Sequence, residues 1–318
     1  MADSTIDGFD PSGFSHIPTP PDEFKSGFVG IVGRPNVGKS TLMNALVGQK
    51  VAITSPTAQT TRNRLRGILS TEQAQIIFVD TPGIHKPHHE LGKILVKNAR
   101  MAIDSVDATL FVVDGSAAAG RGDEFVADLL TQSQIPVILG INKMDQQPEE
   151  FTTIDDSYQS MADAHGWPLV KFSALHETHL DTLLQTLINQ LETGPYYYPP
   201  DLVTDQPERF IMGELIREQI LLHTREEVPH SVAIAIDQVE EDTNITRILA
   251  TIHVERDSQK GILIGKKGSM LKAIGSDARQ QIQKLVMGPV YLELFVKVVP
   301  KWRQSRSRLE DFGYRLEE

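Results

Sequence analysis

Eight residues, Gly33-Arg34-Pro35-Asn36-Val37-Gly38-Lys39-Ser40, restrict the folds open to this chain more than any others. They match G-x-x-x-x-G-K-[ST], and their flanks agree with the match. The apolar run Gly27–Val32 reads as a short buried strand, and Thr41–Val47 reads as the opening turns of a helix. A strand running through such a turn into a helix aims backbone N–H groups and a helix N-terminus at one point. That geometry holds a polyphosphate. Lys39 is then placed to reach the β- and γ-phosphates, and the Ser40 hydroxyl to ligate Mg²⁺. Without its flanks the octapeptide would be an ordinary Gly-Pro turn; with them it predicts a nucleotide-binding domain.

The pattern downstream agrees. Strands are predicted at 27–33, 65–69, 75–80, 108–114, 136–141 and 168–172, and helices at 39–48, 90–104, 121–133, 151–165 and 179–192. Alternation of this kind predicts an α/β domain, a mainly parallel sheet with helices on both faces, spanning 26–193. Residues 1–25, rich in Pro, Ser, Asp and Gly, read as a flexible extension. Gly194-Pro195-Tyr196-Tyr197-Tyr198-Pro199-Pro200 cannot continue a helix and opens a linker, 194–207, whose tyrosines are expected to pack across the junction. A second, α+β domain over 208–300 has the order α-β-β-α-α-β: a helix at 208–224, strands at 231–238 and 246–255, two helical pieces within 261–286 and a strand at 291–299. A basic tail helix, 301–318, closes the chain.

At 318 residues the chain is long enough for two cores. It has no cysteine, which excludes disulfides, thiolate catalysis and Cys-based zinc sites. No apolar run approaches the ~20 residues that span a bilayer, and the N-terminus lacks the pattern of a secretory signal, so a cytoplasmic location is expected. The formal net charge is −11, but it is unevenly spread: residues 1–208 carry 14 Lys/Arg against 26 Asp/Glu, and the remainder 17 against 16. Arg256–Lys284 alone holds 7 basic and 2 acidic residues. An acidic module is joined to one with a basic patch.

Two further motifs define the nucleotide. Asp80-Thr81-Pro82-Gly83 ends an apolar run, where a carboxylate at the end of a strand suits Mg²⁺ held through water and the Gly83 N–H can approach the γ-phosphate. Asn142-Lys143-Met144-Asp145 follows another strand. A carboxylate accepts two hydrogen bonds side by side, matching the N1–H and 2-amino group of guanine, whereas adenine would leave it unpaired. Asn142 and Lys143 would brace the base pocket. The implied ligand is GTP or GDP.

These three motifs in this order resemble those of small-GTPase-type domains. By that resemblance Ser173-Ala174-Leu175 is the loop whose backbone contacts the guanine carbonyl. Thr57–Arg64 is the first switch, with Thr61 (or Thr60) completing the Mg²⁺ shell. In the second domain Gly265-Lys266-Lys267-Gly268 lies between helical pieces, where glycines let a backbone approach and lysines neutralise phosphates. It resembles the Gly-x-x-Gly clamp of type II KH domains. A GTPase domain followed by one KH domain resembles the Era family, GTPases of small-ribosomal-subunit assembly, with QTTRNR, DTPGIH and the ending KWR…RLEDFGYR as matching details.

The resemblance implies GTP hydrolysis, binding of the 3′ end of 16S-type ribosomal RNA, association with the small ribosomal subunit, a monomer, and peripheral association with the inner face of the cell membrane. Ile84 stands where many GTPases carry a glutamine that orients water, which implies a slow intrinsic rate. Asn36 resembles an asparagine that helps bind K⁺ in related enzymes. Candidate catalytic residues are Lys39, Asn36, Thr61 and Gly83. The nucleotide is expected to touch Gly33–Thr41 (including Arg34, Pro35, Val37, Gly38 and Thr41), Asp80, Thr81, Pro82, Gly83, Asn142, Lys143, Asp145 and Ser173–Leu175. The metal ligands are Ser40, Thr61 and Asp80. RNA is expected at Ile262, Ile264 and Gly265–Gly268, with Lys301, Arg303, Arg306 and Arg308 as an auxiliary basic surface. His85, His88 and His89 read as part of a switch loop rather than a metal site. From the residues alone, a constitutive RNA-binding scaffold with structural GTP, or a GTPase acting at membranes or on tRNA, stays open.

Overall fold

The structure, a computed structural model, describes residues 17–55, 65–80, 83, 103–147, 152–225, 228–229, 231–286, 288–305, 307–308 and 312. Six strands form the first sheet: β1 (Lys25–Val32), β2 (Leu65–Ser70), β3 (Ala74–Asp80), β4 (Ala108–Asp114), β5 (Val137–Asn142) and β6 (Leu169–Lys171), in the order β2-β3-β1-β4-β5-β6. Every pairing is parallel except that of β2 with β3. The central strands are buried on both faces, which is why β3, β4 and β5 read as near-continuous apolar runs.

Among the described residues, four helices cover this sheet. Leu42, Met43 and Leu46 of α1 (Lys39–Val47) and Leu183 and Leu187 of α4 (Leu180–Gln190) pack on one face. Val126 and Leu130 of α2 (Arg121–Leu130) and Tyr158 and Ala162 of α3 (Thr152–His165) pack on the other. The helix expected at 90–104 lies almost wholly outside the described residues.

The second sheet is β7 (Ala233–Asp242), β8 (Ile245–Val254) and β9 (Val290–Val298), antiparallel between β7 and β8 and parallel between β8 and β9. A parallel pair requires a crossover, supplied by α6 (Asp257–Ile264) and α7 (Ser269–Val286). Together with α5 (Glu208–His223) they bury a core of Ile216, Ile252, Leu263, Ile274 and Ile282. No helix among the described residues is long and apolar enough to cross a membrane.

Four expectations need correction. The flexible extension stops before residue 25: Phe24 is buried, its ring 4.4 Å from that of Tyr196, and Lys25 already pairs with Ala74 in the sheet. A single Phe between Glu and Lys has no periodicity; a tyrosine far along the chain buries it. The helical crossover begins at Asp257, not 261, because the Gln259 side chain accepts hydrogen bonds from the Glu255 and Arg256 N–H groups at 2.9 and 3.0 Å and fixes an earlier start. The tail is not α-helical over 301–305. Trp302–Gln304 is one 3-10 turn that buries Trp302, whose Nε1–H donates to the Ser231 carbonyl at 3.1 Å.

The linker tyrosines pack on the first domain rather than across the junction. Tyr197 meets Phe28 with ring centroids 5.3 Å apart, and the backbone N–H groups of Tyr197 and Tyr198 donate to Gln75 Oε1. The following residues run along the edge of β2: the Ile68 N–H donates to the Val203 carbonyl at 2.8 Å, and Arg66 pairs with Asp205 at 2.7 Å.

Candidate nucleotide site and Gly-x-x-Gly turn

The turn between β1 and α1 is held by residues remote from it in sequence. Gly38, with φ 97°, precedes the helix, and a β-carbon there would sit 2.3 Å from Asn142 Nδ2, so no side chain fits. Buried Asn142 uses that closeness: its Nδ2 donates to the Val37 carbonyl at 2.8 Å, and its Oδ1 accepts from the Ala174 N–H at 2.9 Å. One amide thus ties the phosphate loop to the Ser173–Leu175 loop. Arg34 anchors the loop's other shoulder by pairing with Asp123 of α2 at 2.8 Å.

Lys39 is buried, and its ammonium donates to the Gly33 and Arg34 carbonyls at 3.2 and 3.0 Å. Burial pushes its pKa down, with the negative charge of Asp80 acting in opposition. Ser40 Oγ donates to Asp80 Oδ2 at 3.0 Å. A hydroxyl and a buried carboxylate this close are hard oxygen donors of the kind that fit Mg²⁺.

Lys39 and Ser40 line one end of a cleft of about 390 Å³, together with Pro35, Asn36, Thr41 and Gly83. Its other end is lined by Lys143, Asp145, Ala174 and Leu175. Asp145 Oδ1 accepts from Ser173 Oγ at 2.6 Å, which orients the carboxylate toward a base. Lys143, with φ 64°, pairs with Asp114 at 2.5 Å. Burial would raise the Asp114 pKa, but hydrogen bonds from Lys143 and Ser116 outweigh it and hold the carboxyl below its ordinary value. Thr60, Thr61, Thr81, Pro82, Ile84, His85, His88 and His89 lie outside the described residues.

Reading the sequence missed the third wall of the cleft, Ile53, Thr54 and Ser55. It also missed Glu218 of α5, which reaches that wall from the other module. Neither sits in a motif, and Glu218 is one of three Glu in a helix that also carries Arg209 and Arg217, so nothing local singles it out.

The second candidate site is built on a sharp turn. Gly265, with φ 70°, ends α6, and a β-carbon there would lie 2.7 Å from Met270 Cβ. Lys267 is left-handed at φ 53°, and Gly268, at φ 81°, would face open space. Lys266 and Lys267 are exposed. Ile262 is 46% exposed and Ile264 half-buried; the core position goes to Leu263 between them. In the tail, Lys301 is exposed and Arg303 pairs with Glu255 at 2.5 Å, while Arg306 lies outside the described residues.

A phosphate loop ahead of α1, a carboxylate at the end of β3 and an Asn-Lys-x-Asp loop after β5 define a P-loop GTPase domain. The α-β-β-α-α-β unit with its Gly-x-x-Gly turn defines a KH domain. Family profiles agree: one described as a 50S ribosome-binding GTPase matches residues 28–143, and one described as a KH domain matches 227–303. GTPase Era of Nostoc sp. is 74% identical over 96% of this chain and 95% of its own length. GTPase Era of Rippkaea orientalis is 70% identical over 95% of this chain and 96% of its own. This chain belongs to the Era family of GTPases. Among solved structures, an Era in complex with MgGDPNP and nucleotides 1506–1542 of 16S ribosomal RNA superposes with a TM-score of 0.84. It is 40% identical and covers 92% of this chain and 100% of that one. An Aquifex aeolicus Era variant bound to GDP and AlF₄⁻ gives the same identity, coverage and score.

Proposed function

We propose that this GTPase is a nucleotide-switched factor that binds the 3′ end of 16S-type ribosomal RNA during assembly of the small ribosomal subunit in the cytoplasm. In this reading residues 26–193 bind and hydrolyse GTP, and 208–300 hold the RNA. The observation that carries it is the pairing, in one chain, of the guanine-type cleft with an exposed Lys266-Lys267 turn whose Gly268 faces open space. The RNA bound by the 40% identical Era supports the choice of RNA.

The residues divide the work. Asp145 accepts the two guanine donors, and Lys143 and Asn142 hold its loop. Lys39 and the loop's N–H groups neutralise the β- and γ-phosphates, and the Gly83 N–H contacts the γ-phosphate. Ser40 and Asp80, with Thr61, would hold a Mg²⁺ ion, which supplies positive charge to the phosphates. Ile84 cannot donate or accept a hydrogen bond, so it does not orient water and the intrinsic rate is slow. Asn36, at φ 65° beside the phosphate end of the cleft, would help bind K⁺ where other GTPases use an arginine. At the RNA, Gly265 and Gly268 admit the backbone, Lys266 and Lys267 meet phosphates, and Ile262 and Ile264 offer apolar surface to bases.

Titration of a fluorescent oligonucleotide carrying the 16S 3′ end against the wild type and a Lys266→Asp/Lys267→Asp variant tests this reading. The variant is expected to bind roughly ten-fold or more weakly, with a shallower salt dependence. Equal affinity and equal salt slope would refute the assignment of the turn.

A further inference from the structure

Glu218 sits in α5 of the C-terminal module with only 1% of its surface exposed. A buried carboxylate is costly unless it is paired and hydrogen-bonded. Its principal partners all lie across the junction. Oε1 accepts from the Thr54 N–H at 2.8 Å and from Thr54 Oγ at 3.3 Å, and Oε2 pairs with Lys50 Nζ at 2.5 Å. Gln219 Nε2, at 3.3 Å, is a local donor.

The segment it grips is a wall of the nucleotide cleft. Ile53, Thr54 and Ser55 line the cleft, whose base end is formed by Ala174 and Leu175. The start of this wall is fixed by α1: Asn44 Oδ1 accepts from the Val51 and Ala52 N–H groups at 3.0 and 2.8 Å, and Asn44 Nδ2 donates to the Ala52 carbonyl at 2.7 Å. Its end is fixed by Glu218. The wall is therefore strung between the helix that follows the phosphate loop and a helix of the other module.

We propose that Glu218 is a positioning residue for the guanine nucleotide, a carboxylate supplied by the C-terminal module that holds Thr54, and with it the cleft wall, against the bound nucleotide. The proposal rests on the cleft being the guanine-nucleotide site. It differs from simple domain packing because the Thr54 contacts, not the Lys50 ion pair, are the ones that bear on the nucleotide.

Dissociation of mant-GDP from the full-length chain, chased with excess GDP, separates the two. Glu218→Ala should release mant-GDP roughly ten-fold faster, the scale of losing hydrogen bonds to a charged acceptor. Glu218→Gln keeps an acceptor for the Thr54 N–H and should fall between Glu218→Ala and wild type. Lys50→Met keeps the Thr54 contacts, so it should lower the melting temperature yet release mant-GDP at nearly the wild-type rate. Unchanged release in Glu218→Ala, or release in Lys50→Met as fast as in Glu218→Ala, would overturn the proposal while leaving the nucleotide site intact. If Glu218→Ala does not fold, the comparison of Glu218→Gln with Lys50→Met decides. A wild-type chain that does not retain mant-GDP would overturn the nucleotide site and the proposal together.

Discussion

At the scale of single residues, the nucleotide cleft is shaped by short polar side chains that have partners inside the protein. Asn142, which lines the cleft, has partners inside the protein at both ends of its amide and so shapes the pocket. Asp145 commits one oxygen to Ser173, which costs rotamer freedom before the base arrives and leaves less to lose on binding. Asn36 is the residue whose role reaches furthest. In the proposed mechanism Ile84 does not position water, and Asn36 would help to meet the charge that develops during phosphoryl transfer by binding K⁺. GTP turnover by the wild type is expected to be roughly ten-fold or more faster in KCl than in NaCl, and Asn36→Ala is expected to abolish that difference. Equal wild-type rates in the two salts would remove the K⁺ role.

At the scale of elements, the C-terminal module depends on α7, which packs on β9 and α5 and supplies Ile274, Ala278 and Ile282 to the core. Ile274 of α7 is fully buried in this core. Ile274→Ala is expected to cost about 2–5 kcal/mol, read as a lower urea midpoint, and to weaken RNA binding because α7 carries the Gly-x-x-Gly turn at its start. The elements were largely legible in the sequence, since β-branched runs and helical periodicity are local signals. The misses were at edges. The early start of α6 came from a side-chain cap by Gln259, and the buried Trp302 turn came from a carbonyl of Ser231, 71 residues away. Neither leaves a periodic trace.

At the scale of the whole molecule, the two modules meet around the Ile53–Ser55 wall of the cleft and the β2–β3 hairpin. Glu218 holds the residues at 50 and 54, and the linker holds Arg66 and Ile68, so the C-terminal half grips the chain on either side of the stretch that carries Thr60 and Thr61. A change of nucleotide that moves these stems must do work on the other module. RNA affinity is therefore expected to differ between the GTP and GDP states, and RNA should change GTP affinity relative to GDP by the same factor, on the order of 5–150-fold. Paired titrations that find both factors equal to one would exclude such coupling.

The chain order of residues was enough for the phosphate loop at Gly33–Ser40, the guanine motif at Asn142–Asp145 and the clamp at Gly265–Gly268. Each is a strand-to-loop or helix-to-turn signature complete within eight residues, because the backbone and side-chain groups it brings together are neighbours in the chain. Only the tertiary structure could decide that Phe24 is packed, that Asn142 stitches two loops, and that Glu218 closes on Thr54 across 164 residues. Those contacts arise from burial, and the need of a buried amide or carboxylate for a partner says nothing, along the chain, about where that partner will be found.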